Sequence, residues 1–261
     1  MLYHYTNYSG LKGILESRQL WLTNISCFED AEEFIYTVSL IAQRLSLSAT
    51  MTEEFLSFVT QQNPSTFVSC FCRDADRKDL WQRYGRSGGY NIEFTEQDMW
   101  AMAAYQAGGN ISYHRNPSPC IYDKNRQDAL VENAMEEWKR NGHGISFDQV
   151  YHLATVFKRQ CFCPEQETRF IVRLKDLSSV KTREVCKRTV KYWELPLRSF
   201  EGLLPIRTIT MGPTQDPKKA ARDLRHFLLE CQLKDVNIKH SKVSYEDFAK
   251  GQLKESECHT Q

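Results

Sequence analysis

Glu165 and Glu167 stand one residue apart in the run VFKRQCFCPEQETRFIVRLK, residues 156–175. Carboxylates held that close repel, so at least one of them binds its proton more tightly. Such pairs serve as acids, bases or stabilisers of developing positive charge. The β-branched and aromatic residues that follow, Phe170, Ile171 and Val172, predict a strand over 168–175. In an extended backbone, i and i+2 project from one face, so both carboxylates are expected to line one wet cleft. The competing account is a charged strand entrance in which they pair with Lys158, Arg159 or Arg169 in water.

Other residues suit the same chemistry. His4 ends a short opening strand with Tyr5 and Thr6, and a neutral imidazole there can hydrogen-bond a ribose hydroxyl or an amide. Trp81 or Tyr84 can stack on a planar ring, although their i, i+3 spacing is also that of core packing. A carboxylate beneath a ribose stabilises an oxocarbenium-like state. Asp30, Glu32 and Glu33 form an acidic helix start that the helix dipole alone accounts for. With Glu165 and Glu167, Asp30 and Glu33 would also suit a magnesium-dependent nuclease. Cys70-Phe71-Cys72 echoes Cys161-Phe162-Cys163. Both pairs are expected within strands as thiols, not as a zinc site, which favours a two-residue spacer. No glycine-rich phosphate loop is visible, and Arg73, Arg77, Arg83 and Arg86 flank the Trp81 segment without marking a diphosphate site.

The chain has to fold to position any of these. Its 261 residues, 41% hydrophobic, can bury a real core, and a net charge of +1 excludes a strongly basic nucleic-acid scaffold. No run reaches the roughly 18 apolar residues of a membrane span, and the start, MLYHYTNYSG, has no signal-peptide pattern. A cytoplasmic protein with reduced thiols is expected. Periodicity predicts strands over 2–6, 19–23, 66–72, 90–95, 168–175, 190–197, 204–211 and 236–241. Further strands are expected within 110–122. Helices are expected after a Ser9 cap, over 31–45, 52–61, 78–84, 96–107, 127–141 and 147–157, and from an Asp216 cap to about residue 231. The expectation is one α+β domain over 1–250, with mixed, largely antiparallel sheets and inserted helices, and a polar, disordered tail over 251–261.

Five segments recur together in one known pattern: YHYT with GLKGILESRQLWLTN, FEDAEE, FVSCFCRDADRKDLWQRYG, FKRQCFCPEQETRFIV and LPIRTITMGP. In this order they resemble a bacterial family of unknown-function proteins, DUF2971, from Leu2 to about Ser244. More loosely, the order of elements is similar to the ADP-ribosyltransferase superfamily, a fold-level analogy. That resemblance implies NAD as substrate. His4, Tyr5, Thr6, Trp81 and Tyr84 would then grip the cofactor, and Ser69 would orient the key acid. Glu167 would face the oxocarbenium ion, and Glu165 would act as general base toward a protein or nucleic-acid acceptor. It implies an NAD-dependent transferase of the toxin or phage-defence kind. The alternatives are a non-catalytic nucleotide- or partner-binding module of the same fold, and the metal-dependent nuclease.

Overall fold

The computed structural model describes residues 1–28, 31–44, 48–85, 88–107, 109–114, 116–141, 147–198 and 204–250. Asp30, Arg86 and the 251–261 tail therefore lie outside the described residues, as do the side chains of Glu32 and Glu33.

In chain order the elements begin with β1 (Leu2–Thr6), α1 (Tyr8–Ser17), β2 (Gln19–Asn24), α2 (Ala31–Arg44), α3 (Ala49–Gln62) and β3 (Thr66–Cys72). They continue with α4 (Lys78–Tyr84), β4 (Tyr90–Phe94), α5 (Glu96–Ala107), β5 (Ile111–His114), β6 (Ser118–Pro119), α6 (Lys124–Asn141) and α7 (Phe147–Val156). The last are β7 (Glu167–Leu174), β8 (Lys181–Val185), β9 (Arg188–Pro196), β10 (Thr208–Met211), α8 (Pro217–Glu230) and β11 (Asn237–His240). Helices and strands are interspersed, as an α+β chain requires. Most expected elements are found within a residue or two. Other details differ: β10 begins at Thr208, four residues after the expected start, and α6 at Lys124, three before it. Asn7, not Ser9, caps α1, its side chain accepting from Gly10 N at 2.8 Å. Ser48 starts α3 three residues before the expected helix, accepting from Met51 N. β8 is a strand where charge alone was evident, because its side chains are exposed in both directions of the pleat and carry no apolar alternation.

The chain forms two compact units, each assembled from separated segments. Unit 1 comprises Met1–Leu20, Cys70–Tyr105 and Leu195–Gln261. Its strands run β11-β10-β4-β1, antiparallel except for the parallel pair β10–β11. Tyr3 on β1 pairs with Cys72 of β3. A core of Tyr5, Cys72, Leu80, Trp81 and Phe248 packs together, with Tyr3 and Val243 against it.

Unit 2 comprises Trp21–Ser69 and Gln106–Glu194. Here β7 pairs with β3, β5 and β6, and β8 forms an antiparallel hairpin with β9. The helices α2, α3, α6 and α7 pack on one another. β7 is buried along its whole length, which explains its unbroken FIV run.

Candidate functional site

The two glutamates of unit 2 do come together, by a route other than the expected one. The chain leaving α7 is tied down when Lys158 N donates to Ile121 O at 3.1 Å and Gln127 Nε2 donates to Lys158 O at 2.9 Å. Residues Gln160–Glu165 then form a 3-10 turn containing Pro164, and Gln166 is left-handed with φ 45°. The backbone between the glutamates is thus folded, not extended, and Cys161-Phe162-Cys163 lies in this turn rather than in a strand. Proline, which lacks an amide donor, and the left-handed residue after the turn are the physical reasons.

The convergence instead comes from a shared cation. Lys158 Nζ lies 2.6 Å from Glu165 Oε2 and 2.9 Å from Glu167 Oε2. Arg169 Nε donates to Glu167 Oε1 at 2.7 Å, and its Nη1 donates to Thr155 O at 2.7 Å. The Phe162 ring covers Lys158 Nζ at 4.8 Å, and Phe28 covers Arg169 at 5.4 Å. Lys158 is 3% exposed, and Glu167 and Arg169 8% each, so Glu167 sits in a core and not in a wet cleft. Burial alone would lower the Lys158 pKa, but Glu167 and Glu165 outweigh it and raise the value above that of an ordinary lysine. Burial pushes the neighbouring Cys120 thiol up to about 12, so it stays protonated. The charged-entrance pairing with Lys158 and Arg169 is therefore realised, in buried form. The backbone is held as firmly: Glu167 N donates to Tyr122 Oη, and Cys120 N to Glu167 O, both at 2.8 Å. Ser69, also in unit 2, is buried on β3, and its Oγ has no hydrogen-bond partner among the described residues.

The remaining expected site residues are in unit 1. Tyr5 Oη donates to Asp74 O at 2.9 Å and accepts from Arg77 N at 3.0 Å. The Trp81 ring packs edge-on to Tyr5 at 4.6 Å, and its Nε1 donates to Asp76 Oδ1 at 2.8 Å. Trp81 is 1% exposed. Both aromatics are thus spent on the core and on fastening residues 74–77, and neither offers a ring face to a ligand. Tyr84, at the exposed end of α4, lies beneath the Arg83 guanidinium. Arg73 pairs with Glu96 and Arg77 with Asp79, each at 2.7 Å.

His4 Nδ1 is 3.1 Å from Cys70 O; since a carbonyl only accepts, Nδ1 carries the proton. Burial lowers the His4 pKa from its ordinary 6.5, and the Cys70 hydrogen bond only partly offsets this. The unfolded chain therefore takes up a proton near pH 6.5 that the folded chain resists, so stability falls as pH drops below that value. Urea midpoints between pH about 7 and 5.5 should decline in the native protein and decline less in His4→Phe, which does not titrate. Equal slopes would remove His4 as the cause.

Thr6 leads to a feature that sequence reading missed. Gly88 N donates to Gly85 O at 3.0 Å and Gly212 N to Gly89 O at 2.8 Å, bringing three separate glycine segments together. A Cβ on Gly89 would stand 2.5 Å from Gly85 Cα and 3.4 Å from Thr6 O, and Gly88 has φ 94°. Gly88, Gly89 and Gly212 floor a cavity of about 630 Å³ bordered by Tyr8, Tyr90, Lys219 and Asp223. The Tyr8 and Tyr90 rings are 6.3 Å apart, and Tyr8 is half-exposed. Burial, then the nearby Tyr8 and Asp223, raise the Tyr90 pKa, so its phenol stays a neutral donor. Lys219 pairs with Asp223 at 2.9 Å on the rim. Asp216 already caps α8, accepting from Lys219 N, so the helix start is not open to an anion. The absent Cβ atoms of Gly89 and Gly212 make room for Gly85 and for the Trp81 ring, a Cβ on Gly88 would meet open space, and the two tyrosines can stack on a flat ring. The signals were Ser87-Gly88-Gly89 and Gly212-Pro213, each legible only as a turn. Gly89→Ala should cost about 1–3 kcal/mol of stability, because the new methyl meets backbone that cannot yield; a neutral effect in chemical denaturation would mean the floor is loose.

Among the described residues, no group of three or more His, Cys, Asp and Glu side chains is placed to hold a metal ion. No helix among them is long and apolar enough to cross a membrane. No curated protein and no solved structure matches the chain. Residues 80–170, a stretch that holds Trp81, Tyr84, Glu165 and Glu167 but not His4, Tyr5, Thr6 or Ser69, match the model of a family described as protein of unknown function, DUF2971.

Proposed function

We propose that the protein binds NAD or a related nucleotide in the glycine-floored cavity of unit 1, as a non-catalytic member of the ADP-ribosyltransferase-like fold. The observation that carries this is the cavity: its volume falls within the roughly 300–1,000 Å³ of small-molecule sites, and its walls pair two tyrosine rings with bare backbone. An exposed aromatic of this kind contributes about 1–3 kcal/mol when a base stacks on it. Calorimetric titration with NAD, ADP-ribose and ATP, in EDTA, should show binding to the native protein that weakens in Tyr8→Ala. Failure of all three nucleotides at millimolar concentration would reject the proposal.

ADP-ribose transfer to a protein or nucleic-acid acceptor, in the toxin or phage-defence manner, is favoured by one observation: Glu165 and Glu167 share one ammonium, and the Glu165 side chain is 17% exposed. Glu165 can then face an acceptor while Glu167 is held rigid. If so, NAD should release nicotinamide, and Glu165→Gln should reduce labelled ADP-ribose incorporation while sparing slow hydrolysis. An absence of nicotinamide release by the native protein leaves binding alone.

A further inference from the structure

The β8–β9 hairpin of unit 2 concentrates positive charge in a chain whose charges nearly balance. Lys181, Arg183, Lys187, Arg188 and Lys191 oppose only Glu184 and Glu194, whereas the whole chain carries +1. β8 has β9 as its neighbour on one side and, among the described residues, none on the other, and its residues are exposed except for the half-buried Arg183. The register places Lys181 opposite Tyr192, Arg183 opposite Val190 and Val185 opposite Arg188. Alternation therefore puts Lys181, Arg183, Arg188, Tyr192 and Glu194 on one face and Glu184 and Lys191 on the other. Lys181 is held by Glu194 at 2.7 Å. Arg183 is not held by any acid.

Arg183 is fixed by rings. Its guanidinium lies 5.1 Å from the Trp21 ring and 5.7 Å from the Tyr192 ring, which are themselves 4.4 Å apart. Its Nε is buried without a hydrogen-bond partner, and among the described residues the side chain makes no ion pair. Trp21 remains 38% exposed. The turn joining the strands puts Cys186 and Lys187 at φ 49° and 63°, a left-handed pair that normally calls for Asn-Gly. Edge strands carry cations to block association with other strands, and that accounts for the charge. It does not account for an exposed tryptophan on β2, two strands in from that edge, nor for a guanidinium stacked on it without an acidic partner among the described residues. A stacked guanidinium keeps its planar fork oriented for phosphate oxygens, and a half-exposed indole offers a base something to stack on.

We propose that this face binds single-stranded nucleic acid, with Arg183, Lys187 and Arg188 on phosphates and a base on Trp21. A duplex hides its base faces, so the ring would be idle against one. The inference does not rest on the unit 1 cavity.

The test is fluorescence anisotropy of short labelled oligothymidine and oligouridine strands with the full-length protein, beside a duplex of equal length. Single strands should bind, with a log–log salt slope of about −2 for three phosphate contacts. Arg183→Glu and Trp21→Ala should each weaken binding about tenfold, and Lys218→Ala on unit 1 should leave it unchanged. Preference for oligouridine or oligothymidine would identify RNA or DNA as the ligand. Three results would overturn the proposal: no binding of either strand, duplex binding as tight as single-strand binding, or wild-type affinity in folded Trp21→Ala and Arg183→Glu. The last two would describe a general polyanion surface. Circular dichroism checks folding, and Arg183→Glu, a change at an exposed edge, keeps the test valid if Trp21→Ala unfolds.

Discussion

Lys158→Met should destabilise the fold by about 3–5 kcal/mol, the cost of stranding buried charge when one partner of a buried pair is removed. Methionine fills much of the lysine stem's space, so the loss is electrostatic rather than a cavity. With Lys158 gone, Glu165 and Glu167 face each other across the space where Nζ stood 2.6 and 2.9 Å away, with Arg169 on the Glu167 side. The account is tested by compensation. Adding Glu165→Gln to Lys158→Met removes one of the two stranded carboxylates and should restore a substantial part of the loss, although Glu165→Gln alone weakens the native pair. Denaturant unfolding followed by tryptophan fluorescence measures all four proteins in one cycle. A Lys158→Met protein within 1 kcal/mol of wild type, with no coupling to Glu165, would mean the cluster is solvated in practice. The native contribution of Lys158 also has a pH signature. Its folded pKa is raised, so its stabilisation is fully present below the unfolded value of 10.5 and is lost as pH rises through the higher folded value.

Trp81→Ala should cost about 3–5 kcal/mol, as for other large aromatics removed from a core. Trp81→Phe separates the two things the indole does. It keeps most of the buried ring against Tyr5 and loses the 2.8 Å bond to Asp76 Oδ1, leaving that carboxylate with Ser241 Oγ and Lys242 N. A loss of about 1.5–3 kcal/mol is expected from a hydrogen bond to a charged group. Because Trp81 offers no face to a ligand, Trp81→Phe should bind nucleotide as the native protein does. Weaker binding at unchanged stability would return Trp81 to a stacking role.

Strand and helix positions were legible because their periodicities are strong. TFVSCFC and ETRFIVRL are apolar enough to declare themselves, and Asp216-Pro217 marks the start of α8, where Asp216 Oδ1 accepts from Lys219 N at 2.9 Å. The glutamate pair was also legible as a pair, together with its competing partners. What could not be read was the conformation between them. Gln166 gives no warning that it adopts φ 45°: it closes the 3-10 turn, its N donating to Cys163 O at 3.1 Å, in a conformation that usually calls for glycine or asparagine. Tyr5 and Trp81 carry the polar tips expected of ligand contacts, and the chain uses those tips to fasten a loop instead. The glycine floor was not legible because its parts, at Gly88-Gly89 and Gly212, are a turn and a strand end until the fold joins them.

Phe248 has a temporal consequence. It packs with Tyr5, Cys72, Leu80 and Trp81, residues that leave the ribosome far earlier. At roughly 5–20 residues per second, tens of seconds separate the synthesis of Tyr5 from that of Phe248. From its own synthesis until that of Phe248, the buried Trp81 lacks one wall of its core. A stop codon just before Phe248 should therefore yield aggregated rather than merely shortened protein.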